Sequence, residues 1–174
     1  AEVARFMSAL YQPEDVLKRE PEEEEALFRA RLMRTVFMRS LGKDIGQAQS
    51  RHWIRELMDA RFAAFDYFPQ ARNVMAWLRE RYRTAVITNG PTYSQAPKIK
   101  AVDLEPHVDE VFISGQLPWQ KPDRAIFDHV CAEIGVLPSQ ALHVGDSLGS
   151  DIAGANGAGL NSVWINPKGD THPA

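Results

Sequence analysis

The chain has 174 residues, 44% of them hydrophobic and 25% charged, enough apolar material for one ordinary domain or for a small core with a helical insert. A formal net charge of −3 leaves no basic footprint for nucleic acid. The single cysteine, Cys131, rules out an internal disulfide, and no apolar run approaches the roughly 20 residues of a membrane span.

No signal peptide is visible, and with one cysteine the expected compartment is the reducing cytoplasm. The chain begins with Ala1 rather than Met, so a segment upstream is expected to be missing. Ala4 to Leu10 and Asp15 to Lys18 read as short helices. The acidic run from Glu20 to Glu25, with Pro21 early in it, reads as the first turn of a longer one. Leu27, Ala30, Met33, Phe37 and Leu41 recur at helical spacing, and Gly42 is placed to end that helix as its C-cap. Trp53, Ile54, Leu57, Met58, Phe62 and Phe65 mark a second long amphipathic helix. Residues 1–66 thus read as a small helical bundle without strands.

From residue 67 to 174 helices and short apolar strands alternate. A helix carries Val74, Met75, Trp77 and Leu78, and Thr84 to Thr88 is a strand. Further helices are expected from Pro91, Pro122 and Ile152, and further strands over Glu110 to Ser114, Ala141 to Val144 and Ser162 to Ile165. Repeated strand–helix units with short apolar strands predict an α/β fold with a doubly wound, Rossmann-like parallel sheet. Gly154, Gly157 and Gly159 lack the spacing of a dinucleotide-binding loop and are read as close helix–strand packing. Cys131 and His143 fall in apolar patterns and are expected in the core.

Three predicted strand ends carry polar groups suited to a phosphoryl group. At Thr88-Asn89-Gly90-Pro91 a hydroxyl and free backbone amides meet the mouth of a helix, where the dipole favours an anion. The plainer alternative is a simple N-cap. At Gln120-Lys121-Pro122-Asp123 a lysine stands just before a helix and can meet a phosphate oxygen or hold a carboxylate. At His143-Val144-Gly145-Asp146-Ser147-Leu148-Gly149-Ser150-Asp151 two carboxylates lie five positions apart, where a strand passes into a helix. Two acids so placed repel unless a cation sits between them, and Mg²⁺ is the natural ion; the alternative is helix capping by Asp146 and a first-turn role for Asp151.

With VITNG at 86–90, QKPDRAIF at 120–127, HVGDSLGSDIAGANGAG at 143–159, Gln95, Lys98 and VWIN at 163–166, the chain resembles the haloacid dehalogenase superfamily in its phosphatase branch with a helical cap. It is most similar to the nucleotidase-like and N-acylneuraminate-9-phosphatase-like members. The resemblance implies that 1–66 is the cap and 67–174 the α/β core. It implies that Thr88 bonds the transferring phosphoryl group with help from Asn89 and Gly90, and that Lys121 neutralises charge and orients the nucleophile. It also implies that Asp146 and Asp151 hold Mg²⁺ for a small phosphorylated substrate, chemistry that consists mainly of positioning and charge neutralisation.

The family's DxDxT nucleophile motif has no match here: Asp15, Asp44 and Asp59 lack the second acid. In the family that motif ends a central strand lying between the strands that here end at Thr88 and Gly145. The resemblance therefore implies a core without its first strand, and either a phosphatase lacking this piece or a catalytically dead binding protein. A haloacid dehalogenase that uses no metal is a third reading, which the two acids oppose. Gln70 stands where glycine is usual, and Pro118 and Trp119 stiffen the loop before Lys121. His52 and Arg29, Arg31, Arg34, Arg39 and Arg55 are read as a solvated helix face or a substrate entrance.

Overall fold

The computed structural model describes residues 25–166 and 169. The short helices expected before residue 20 and the acidic residues 20–24 lie outside the described residues. The chain divides into two compact units between Phe65 and Asp66.

The first unit contains α1 (Glu25–Leu41) and α2 (Gly46–Ala63). Ala30, Val36 and Ser50 are buried, and the rings of Phe37 and Trp53 lie 5.3 Å apart. Val36 had no place in the expected stripe, whereas Leu41 and Leu57, which did, are exposed. The stripe reads an ideal helix; the packed face is set by where two real helices meet. Gly42 ends α1 with φ +65°, and its amide donates to the Met38 carbonyl 3.0 Å away, a left-handed cap that suits a residue without Cβ.

The turn into α2 is tied by Asp44, which pairs with the Arg34 guanidinium and accepts the Gly46 amide at 2.9 Å. The Arg34 hydrogen bonds, then the Gly46 amide, lower the Asp44 carboxyl from 3.8 to about 2. Because the folded value is depressed, whatever this contact contributes is present above pH 3.8 and disappears as pH falls towards 2. In an Arg34→Ala variant, Asp44 is expected to titrate higher than in the parent, the Gly46 amide still holding it down in part, which carboxyl-detected NMR between pH 2 and 5 would read directly.

The second unit runs α3 (Ala71–Arg79), β1 (Ala85–Thr88), α4 (Thr92–Ala101), β2 (Glu110–Ile113), α5 (Arg124–Glu133), β3 (Leu142–Gly145), α6 (Ala153–Ala158) and β4 (Asn161–Trp164). All its strands pair in parallel, with Thr88 opposite Ile113 and Val144 opposite Val163. They form two separate pairs, β1–β2 and β3–β4, and no described strand joins β1 to β3. The first pair is clamped at its start by Asp109, whose carboxylate accepts the Thr84 amide at 2.8 Å and the Thr84 hydroxyl at 3.0 Å.

Ile126 and Phe127 of α5 are fully buried against Ala155 and Ala158 of α6, with Ile87, Leu117 and Leu160 packed around them. Cys131 is buried in α5, as its apolar setting predicts, and burial pushes its thiol pKa up. The three glycines of 154–159 differ from the expected packing role. A Cβ on Gly154 would lie 2.8 Å from the Phe127 ring and 2.9 Å from Pro122 Cα, so this glycine lets α6 approach α5 and its leading loop rather than a strand. Gly157 faces open space, and Gly159 closes α6 with φ +87°. Two helix starts also move. α5 begins at Arg124 because Asp123 caps it, accepting the Ala125 amide at 2.9 Å, and a π-helical turn over Leu148–Ile152 precedes α6. Gln70, at the head of α3, adopts φ +69°.

Candidate active site

The strand ends of the second unit bring the expected polar residues together around one carboxylate. Asp151, in the π-helical turn after β3, is 5% exposed. Its Oδ1 accepts from Lys121 Nζ at 2.6 Å and lies 3.2 Å from His143 Nε2, and its Oδ2 accepts the Ser147 amide at 2.9 Å. Burial alone raises a carboxyl pKa; here the hydrogen bonds from Lys121, Ser147 and His143 outweigh it, and Asp151 is lowered and stays charged. Gly145 makes the arrangement possible. A Cβ there would come within 2.4 Å of Asp151 Cγ.

Lys121 reaches Asp151 from the loop before α5. Its ammonium also donates to the Ile87 carbonyl of β1 at 2.9 Å, so two of its three N–H groups are engaged. Its backbone is held by Asn89, whose amide side chain donates to the Lys121 carbonyl at 2.7 Å and accepts the Lys121 N–H at 2.9 Å. Thr88 therefore sits between the two residues that fix Lys121, and its hydroxyl makes no hydrogen bond among the described residues.

The loop after β1 departs from expectation at Gly90. Its amide was read as free for an anion, yet it donates to the Ser114 hydroxyl at 3.0 Å, while the Gly115 amide donates back to the Gly90 carbonyl at 3.0 Å. Gly115 must be small, since a Cβ would lie 2.7 Å from Pro91 Cα. Gln95 braces the loop from α4 by donating to the Asn89 carbonyl at 2.8 Å, so its agreement with the expected motif has a structural counterpart.

Asp146 lies on the exposed side of the turn. Its backbone carbonyl accepts the Trp164 indole N–H at 3.0 Å, which ties the turn to β4. The second expected acid is different in kind: Asp151 is already satisfied by a lysine, so the cation that offsets its charge is in the protein. Among the described residues no three His, Cys, Asp or Glu side chains group as a ready-made metal cage. A hard ion here would rest on Asp146, the open position of Asp151 Oδ2 and water. That donor set suits Mg²⁺, which is commonly bound by one or two carboxylates and keeps several waters.

His143 and Ser147 were missed as site residues. His143 was placed in the core because it lies in a strand; the pleat turns it towards Asp151, eight residues on and across a turn, a proximity that no local pattern signals. Ser114 and Gly115 were missed because β2 was read as one segment to Ser114.

Residues 2–159 match the family of haloacid dehalogenase-like hydrolases. The chain belongs to that family. It is 40% identical over 93 residues to the N-acylneuraminate-9-phosphatase of Mus musculus, a match covering 53% of this chain and 38% of that protein. It is 34% identical over 135 residues to the phosphoserine phosphatase of Thermus thermophilus, covering 75% of this chain and 53% of the relative. The chain thus spans about half or less of the length of these relatives. Among solved structures, a HAD phosphatase from Thermococcus onnurineus superimposes with a TM-score of 0.59 at 27% identity, over 78% of this chain and 76% of that one.

In this haloacid dehalogenase-like core, Gly145 is the residue whose enlargement should hurt most. Gly145→Ala is expected to displace Asp151 and cost about 1–3 kcal/mol, the range for overpacking a filled site. Gly157→Ala, in open space on α6, should be neutral or stabilise by up to about 1 kcal/mol. Urea unfolding of the two variants separates these outcomes.

Proposed function

We propose that the protein is a cytoplasmic, Mg²⁺-dependent phosphomonoester hydrolase acting on a small phosphorylated metabolite. The observation that carries this reading is the hold on Lys121. An ammonium on a side chain 11% exposed is fixed to Asp151 and to the Ile87 carbonyl, its backbone is clamped by Asn89, and Thr88 lies between those two anchors. One N–H of the lysine and the hydroxyl of Thr88 are left for an anion, a pairing suited to an ester's phosphoryl oxygens.

In this reading Lys121 offsets the charge that builds on the phosphoryl oxygens, and Thr88, aided by Asn89, orients the group. Asp151 aims the lysine, and Asp146 supplies an exposed carboxylate to Mg²⁺. The ion, when bound, would neutralise phosphoryl charge. Gly90 serves the shape of the loop, since its amide is committed to Ser114.

The attacking carboxylate has no match among the 174 residues. We assign it to a strand that pairs between β1 and β3, each of which has a partner on one side only among the described residues. A carboxylate oxygen there would bond to phosphorus as the ester P–O bond breaks. The alcohol would leave with a proton from a second acid, and water would then cleave the acyl phosphate, releasing inorganic phosphate. The helical unit would act as the family's cap. The names of the relatives, an N-acylneuraminate-9-phosphatase and a phosphoserine phosphatase, support a phosphate ester as substrate. Among the described residues no helix is long and apolar enough to cross a membrane.

The test is Mg²⁺-dependent hydrolysis of an aryl phosphate by the 174-residue chain and by a version carrying the nucleophile strand. Turnover is expected in the longer form alone, and Asp146→Asn in that form should abolish the metal-dependent part. Turnover by the short chain would show that another residue attacks, and wild-type-like activity of Asp146→Asn would overturn the site assignment.

A further inference from the structure

We infer that His143 is a positioning residue for this site: its Nε2–H holds Asp151 Oδ1 so that Oδ2 is the one oxygen of that carboxylate open to the cation or to its bound water. The inference rests on the metal-dependent reading above and concerns a residue to which that reading gives no role.

A carboxylate oxygen accepts about two hydrogen bonds. Oδ1 is filled by Lys121 Nζ at 2.6 Å and His143 Nε2 at 3.2 Å, whereas Oδ2 carries the Ser147 amide alone, at 2.9 Å. Without the histidine, Oδ1 would offer a second open position, and the carboxylate could rotate between two ways of meeting an ion. With it, Lys121 and His143 occupy one oxygen and present the other.

The state of the ring follows from its surroundings. Asp151 is charged and can only accept, so the nitrogen facing it must carry the hydrogen. The His143 side chain is 12% exposed and its Nε2 lies 3.2 Å from Oδ1, so Nε2 is the donor. Its plane is set by Phe127 of the core, whose ring meets it edge to face at 89° with centroids 5.2 Å apart. A fully buried aromatic therefore fixes the histidine, the histidine fixes the carboxylate, and β3 carries His143 three residues ahead of Asp146. Partners of this kind behind a ligating group typically change metal affinity 10- to 100-fold when removed.

Two measurements on the complete protein test this. Long-range ¹H–¹⁵N NMR of the imidazole is expected to show hydrogen on Nε2; an Nε2 without hydrogen, or exchange between tautomers, overturns the inference. Mn²⁺ binding followed by electron paramagnetic resonance is expected to weaken about 10-fold or more in His143→Phe. His143→Gln, whose amide can still donate to Asp151, should recover most of that loss. Equal weakening in the two variants, or none in His143→Phe, overturns it. Asp146→Asn distinguishes the two levels of argument. If it binds Mn²⁺ like the parent, the metal reading itself fails; if it loses the ion while the histidine variants do not, only the role of His143 fails.

Discussion

A carboxylate that is 5% exposed must be met by donors or give up its charge, and the way Asp151 keeps its charge organises the strand ends of this unit. Its donors come from three elements: a lysine from the loop before α5, a histidine from within β3 and a backbone amide from the turn after it. Each is held in its turn. Asn89 fixes the lysine backbone, Phe127 faces the histidine ring edge-on, and the Ser147 side chain accepts the Ser150 amide at 3.2 Å, closing the turn. Losing any one would leave a buried polar group short of a partner, at a cost of about 1–3 kcal/mol per group.

This explains why Lys121 is suited to work beyond structure. An ammonium has three N–H groups, and Asp151 takes one of them. Here the second bond goes to a neutral carbonyl, Ile87, and one N–H remains. Asp151 and the carbonyl together aim the ammonium, and the carbonyl does so without adding negative charge. Thr88 follows Ile87 directly, so the backbone that aims the lysine also delivers the hydroxyl.

The strand–helix alternation, the buried Cys131 and the gathering of polar residues such as Lys121 and Asp151 at strand ends were legible in the sequence, because apolar runs, glycine stops and polar strand ends are local signals. The sequence did not show which acid does what. Asp146 and Asp151 look equivalent as letters, and only the fold, by placing Lys121 on one of them, makes the first an exposed carboxylate and the second a buried one. Gly90 failed for a related reason: a glycine after a strand advertises a free amide, but Ser114, 24 residues away, had already claimed it. His143 shows the same limit on the face of a strand, where period-two patterning reports burial and says nothing of what the buried face meets.

The split sheet sets the mechanical problem that these contacts answer. A two-stranded sheet is marginal in water, and this unit has two of them with no described strand between. What joins them is the packing of Ile87 from β1 against the α5–α6 core, together with Lys121 on the Ile87 carbonyl and on Asp151 after β3. The bridge between the half-sheets is thus made of the same groups that would meet a phosphoryl oxygen. On one face of β3–β4, Leu142, Val144 and Val163 remain 60%, 53% and 42% exposed, while His143, Gly145, Ser162 and Trp164 alternate onto the less exposed face. A strand entering between β1 and β3 would satisfy their open edges and take over the cross-linking. The bonds of Lys121 to Ile87 and Asp151 would then serve to aim its charge rather than to hold the half-sheets together.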